Sequence, residues 1–183
     1  SEVKSVLSEF AQYGVDFERL DDFMKEVPPE SYLHYKLDDI RTIYEKFEEY
    51  LSEKYITKEE MLDVLSDAVP YSDILKGSVV AMDGFTGFTP VQNRLIGELF
   101  SVCEKVMITV TMDGRENPYV YEHPYQIFAL GKQMVTSLMK IAGEKKTEIE
   151  EPICLFERPV YRFRDCSEMA FLETELFRYS GAK

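Results

Sequence analysis

Cysteine and histidine are scarce in this sequence. Cys103, Cys154 and Cys166 lie far apart, and His34 and His123 are the only histidines. That supply excludes a disulfide framework and a closed zinc site, both of which need more ligands at tighter spacing, and it points to a reducing, cytoplasmic setting. Long apolar runs are also missing: nothing approaches the roughly 18 to 20 residues of a membrane span, so no membrane contact is expected. The opening text, SEVKSVL, has neither an initiator methionine nor the basic-then-apolar pattern of a signal peptide. It reads as mid-helix text from the interior of a longer chain. Basic residues are few, 21 Lys and Arg against 34 Asp and Glu, for a formal net charge of −13. Such a field repels polyphosphate unless a basic face is segregated from it. No G-x-x-x-x-G-K-[ST] phosphate loop occurs, nor does any internal repeat or low-complexity tract.

What remains is a sequence that folds. Hydrophobic residues make up 45% of the chain and aromatics 13%, which excludes disorder, and 183 residues suffice to bury a core. The first 70 residues carry helical signals only. Leu33, Leu37, Ile40, Tyr44, Phe47 and Leu51 recur at steps of three and four with acids between them, the spacing of a long amphipathic helix. Shorter helices are expected near 2–12 and 16–26, and a fourth in TKEEMLDVLSDAVP, where Thr57 and Glu60 form a capping box and Pro70 marks the stop.

After residue 76 the pattern changes. GSVVAMD and KVMITVTMD are short, β-branched apolar runs separated by PVQNRLIGELFSVC, which has helical spacing. A strand–helix–strand unit of this kind implies parallel strands. A helix is expected from about Pro124 to Ala142, then a polar loop in GEKKTEIEE, a short strand in ICLFE, and a last helix in SEMAFLETELFRY capped by Ser167 or Asp165. The fold class is therefore α/β: a helical subdomain over 1–70, a partial parallel sheet with flanking helices over 71–142, and a linker, short strand and C-terminal helix over 143–183.

Asp83 ends the first strand, where α/β folds place ligands and where nucleotide hydrolases hold Mg²⁺; a strand-terminal aspartate also serves as a plain turn former. Asp113 sits in TMDGREN at the expected end of the second strand, where Asp-Gly is a turn signal in itself. His34 reads as a boundary residue on its helix, and His123 as a residue near a helix start. Arg158, Arg162 and Arg164 in ERPVYRFR are the one basic-aromatic cluster, suited to phosphate contact or base stacking, with Glu157, Asp165 and Glu168 alongside as local ion-pair partners.

The decamer DGFTGFTPVQ, from Asp83 to Gln92, resembles motif II of superfamily 1 DNA helicases, D-E-F-Q-D-T-N-x-x-Q, with Asp83, Phe85 and Gln92 in register. Gly84 stands where the catalytic glutamate would be, and Gly87 where a second aspartate would be. The wording is similar to that of the B subunit of bacterial ATP-dependent helicase/nucleases of the AddAB and RexAB type, and so is RFRDCSEMAFLETELF. The likeness covers roughly residues 33 to 178.

This resemblance implies part of an incomplete RecA-type helicase-like domain, in a subunit that processes double-strand DNA ends for repair and recombination beside a helicase/nuclease A-type subunit. It further implies Asp83 and Gln92 as remnants of a nucleotide site, Asp83 as a vestigial Mg²⁺ ligand, and DNA contact through the intact complex. In the full-length parent it implies ATP with Mg²⁺ and an iron–sulfur cluster, with no cofactor held by these 183 residues. The glycines free the loop to adopt positive φ, leaving Phe85 and Phe88 to anchor it in the core. An unpaired sheet edge would favour self-association. An autonomous Mg²⁺-dependent nucleotide-binding enzyme and a protein-binding structural adaptor are the competing readings.

Overall fold

The computed structural model describes residues 2–51, 60–156 and 160–176. The amino-terminal part is helical: α1 spans Glu2–Tyr13, α2 Phe17–Glu26, α3 Tyr32–Leu51 and α4 Glu60–Ala68, followed by a 3₁₀ turn at Val69–Tyr71. Asp16 caps α2 by accepting from the Arg19 amide at 2.9 Å, and Ser31 Oγ does the same for His34 at the start of α3. The periodic residues of α3 do what their spacing requires, with Leu37, Tyr44 and Leu51 buried. Tyr44 packs against Phe10 and Phe17 and donates its hydroxyl to the Val15 carbonyl at 3.2 Å, binding the α1–α2 corner to α3. Thr57 of the expected capping box lies outside the described residues.

Strand β1 (Val79–Met82) pairs in parallel with β2 (Lys105–Ile108), Val80 opposite Val106, and helix α5 (Pro90–Val102) makes the crossover. The βαβ unit is as the alternating patterns require, and the mainly helical chain with its two-stranded parallel sheet is compatible with the α/β class. α5 is the centre of the packing: α1, α4, the 3₁₀ turn, β2 and α6 (Ala129–Lys145) all lie against it. Its Val91, Ile96 and Leu99 are buried. Arg94 reaches from α5 to Asp63 and Asp67 on α4 at 2.6 and 2.5 Å. Those bonds, Asp63's first, raise the guanidinium pKa above its ordinary value.

Several expectations need correction. α6 begins at Ala129 rather than Pro124 because the preceding residues form turns: Gln126 bridges the Glu122 amide and carboxylate, both at 3.1 Å. His123 therefore leads into these turns, its carbonyl accepting from the Gln126 amide, ahead of the α6 N-cap at Phe128. At its other end α6 continues through GEK of the expected loop and stops at Lys146, whose φ of 56° is left-handed, with Lys145 paired to Glu98 at 2.7 Å. The second strand ends at Ile108, well short of Asp113. ICLF is not a strand, since no described strand lies in its ladder. The last helix, α7 (Ser167–Glu175), has Cys166 at its N-cap with no side-chain cap bond, because Ser167 bonds to Glu168 and Asp165 to Arg164 instead.

A hub helix should be costly to hollow. Ile96→Ala, at a position 2% exposed, is expected to destabilise the chain by about 2 to 5 kcal/mol. Met107→Ala, at a position 46% exposed on the open sheet face, should cost less than about 1 kcal/mol. Urea unfolding of both variants checks the contrast.

Candidate functional site

The loop from Asp83 to Thr89 joins the carboxyl end of β1 to the amino end of α5. It is fastened at both ends. At the β1 end, the Asp83 carboxylate accepts a short hydrogen bond from the Thr109 hydroxyl, just beyond β2, and the Thr109 amide donates to the Met82 carbonyl at 3.0 Å. At the α5 end, Thr89 and Gln92 form a capping box: Gln92 Oε1 accepts from the Thr89 amide at 2.9 Å, and Thr89 Oγ1 accepts from the Gln92 amide at 3.4 Å. Pro90 fills the first helical turn, where its missing N–H is no loss.

Between these fastenings the loop stands in open space. Gly84 has φ of 80°, and a Cβ placed on Gly84 or Gly87 would meet nothing within 4 Å. Phe85 does not anchor the loop in the core, and Phe88 is only half-buried. Their rings stack on each other, centroids 5.0 Å apart, with Phe85 42% exposed, because a loop that projects beyond the strand ends has no core to enter.

The other expected site residues are not gathered here. Asp113 is buried and its carboxylate takes the Arg115 amide at 2.9 Å and the guanidinium at 3.1 and 3.2 Å, the bland turn role its Asp-Gly text allowed. Arg115 continues to the Thr174 carbonyl, holding α7 to this turn. Arg158 lies outside the described residues. Arg162 is exposed on a 3₁₀ turn, and Arg164 stacks over the Tyr161 ring at 4.3 Å and pairs with Asp165 at 3.3 Å. His34 is half-buried in a cleft of about 400 Å³ between α2 and α3, beside the Asp21–Arg41 pair.

The profile of the family described as ADDB, N-terminal matches residues 1–173. The chain belongs to this family. It is 38% identical over 182 residues to the B subunit of the ATP-dependent helicase/deoxyribonuclease of Lachnoclostridium phytofermentans, covering 97% of this chain and 16% of that protein. The B subunits of the same description from Thermoanaerobacter sp. and Clostridium acetobutylicum are 36% and 34% identical over 177 and 181 residues, each covering 97% of this chain and 15% of the relative. The chain thus spans about one sixth of the length of the curated relatives it matches.

Donor chemistry decides what this family member's own residues can hold. Among the described residues no three His, Cys, Asp or Glu side chains gather as a metal site. Asp83 brings one carboxylate, already bonded to Thr109. Mg²⁺ takes one or two carboxylates together with substrate phosphates, and of these the 183 residues supply the Asp83 carboxylate but no phosphate loop. Cys103, Cys154 and Cys166 are separate free thiols and do not fit an iron–sulfur cluster. Gln92 gives its Oε1 to the cap. Thr109 carries no signal in the sequence, since only strand register brings it to Asp83; the Thr89–Gln92 box is legible as T-x-x-Q before an apolar run.

The backbone of Gly84 should be the sensitive point of the loop. Gly84→Ala is expected to cost about 1 to 2 kcal/mol for its left-handed φ. Gly87→Ala, which has no such φ, should be neutral or stabilise by up to about 1 kcal/mol. Equal effects in thermal melts would contradict the loop geometry.

Proposed function

We propose that this chain is a non-motor, helicase-like segment of a DNA-end-processing helicase/nuclease subunit, acting in double-strand break repair and recombination in the cytoplasm. In this reading residues 71–142 are an incomplete RecA-type domain, residues 1–70 a helical subdomain packed on it, and residues 143–183 a linker and terminal helix. Its partner is the A-type subunit, which supplies the motor, and DNA is met through the assembled complex. The single observation that carries the proposal is the strand-end loop: in a chain of this family, the position that would orient water is Gly84 at φ 80°, and the position that would hold metal is Asp83, bonded to Thr109.

Physical chemistry supports the non-motor assignment. Phosphoryl transfer needs a phosphate cradle, a metal ligand and a group that orients water. These 183 residues have no phosphate loop, and the position directly after Asp83 is Gly84 rather than a carboxylate. Loss of one such preorganised group costs about 3 kcal/mol of barrier, and within these 183 residues two of the three are absent. What the loop offers instead is a pair of stacked phenylalanines on a glycine-rich turn, a surface on which bases can stack without electrostatic attraction.

Neither the chain nor Gly84→Glu is expected to release phosphate from ATP with Mg²⁺, because one added carboxylate restores no cradle; turnover abolished by Asp83→Ala would overturn the proposal in favour of an autonomous enzyme. Duplex binding by the chain alone should be weak, above about 1 μM at about 0.15 M salt, since few phosphates can be neutralised against a charge of −13. Submicromolar binding lost on mutating Arg158, Arg162 and Arg164 would assign DNA contact to this chain directly.

A further inference from the structure

Between α6 and the second 3₁₀ turn the chain runs through EIEEPICLFE. Its text is that of a strand: apolar, bounded by Pro152 and Pro159, which belong at strand ends. In the structure the segment joins neither described strand. Ile153, Cys154 and Leu155 donate no backbone hydrogen bond to any described residue. Ile153 and Leu155, which share a face in extended chain, are 87% and 93% exposed.

The segment is nevertheless held in place. Lys105, at the start of β2, meets Glu150 at 2.7 Å. Phe156 lies with its ring against Gly114, where a Cβ would fall 2.9 Å from the ring. The tethers draw the segment from the start of β2 towards the turn that follows it, yet it does not join the β1–β2 ladder. Two fixed ends with an unpaired apolar stretch between them present that stretch outward.

We infer that residues 153–155 form a strand whose pairing edge is supplied by a part of the same polypeptide outside these 183 residues: an apolar sheet edge flanked by lysine or arginine. Length and charge identify that occupant. The matched region is about one sixth of each curated relative, so most of such a polypeptide is available to supply an edge. Glu148, Glu151 and Glu157 flank the segment, against Arg158 alone on its C-terminal side and with Glu150 already paired to Lys105, an acidic excess that calls for a basic counterpart. A second copy would bring the same glutamates and another −13 charges, and like charges across paired strands destabilise. The inference rests on the family assignment and goes beyond the non-motor reading.

The test is amide exchange by mass spectrometry, on the 183-residue chain and on the subunit expressed from its complete reading frame, both without DNA or nucleotide. Residues 153–155 are expected to exchange rapidly in the chain and at least about 100-fold more slowly in the complete subunit. Ile153→Lys with Leu155→Lys should restore rapid exchange while α5 stays protected. Rapid exchange in both proteins overturns the inference, as does slow exchange that survives the double substitution. Protection in the chain alone that grows with its concentration assigns the edge to a second copy and overturns it too. Each of these failures leaves the ATP and duplex results untouched, so it is separable from failure of the proposed function.

Discussion

Helix α5 has to begin at Thr89 for the rest of the molecule to assemble. Its apolar face takes α1, α4, β2 and α6, and those contacts have the right register only if Val91, Ile96 and Leu99 point inward. A capping box with Pro90 behind it sets that start, satisfying amides that would otherwise lose their partners on burial. Gly97 lets α6 approach closely: a Cβ there would come within 3.2 Å of Ile141 Cγ2. The DGFTGFT loop inherits its position from this helix start on one side and from the Asp83–Thr109 bond on the other. Its glycines supply the conformations that such a short connection needs.

The parts of this architecture legible in the sequence are those governed by local periodicity. α3 shows itself through apolar steps of three and four, and β1, α5 and β2 through the change from period two to helical spacing. What could not be read depends on contacts distant in sequence. Thr109 reaches Asp83 only through the parallel register of β1 and β2. The start of α6 is obscured because Pro124 is equally at home in a first helical turn and in the turns that Gln126 stabilises. ICLF has strand propensity, but propensity describes fit to a pleated surface and creates no neighbour. Gln92 carries two compatible meanings, a motif position and a capping partner, and the helix uses the second.

Electrostatics divides the chain's arginines between structure and surface. Arg94 clamps α4 to α5 and Arg115 holds α7 to the Asp113 turn, so neither is spare for phosphate. Arg164 shares its guanidinium between Tyr161 and Asp165. In a chain with 34 acids and 21 bases, the Phe85–Phe88 pair at the strand ends, with Phe85 exposed and Phe88 half-buried, offers a contact that needs no net positive field.

The central claim is that Asp83 serves the strand ends through Thr109 and not a metal ion. A double-mutant cycle on Asp83→Ala and Thr109→Val, measured by urea unfolding with and without millimolar MgCl₂, tests it most directly. The account predicts a favourable coupling of about 0.5 to 1.5 kcal/mol, the range for a hydrogen bond of this kind, with no dependence on Mg²⁺. Absence of coupling, together with a Mg²⁺-dependent stabilisation that disappears in Asp83→Ala, would contradict it.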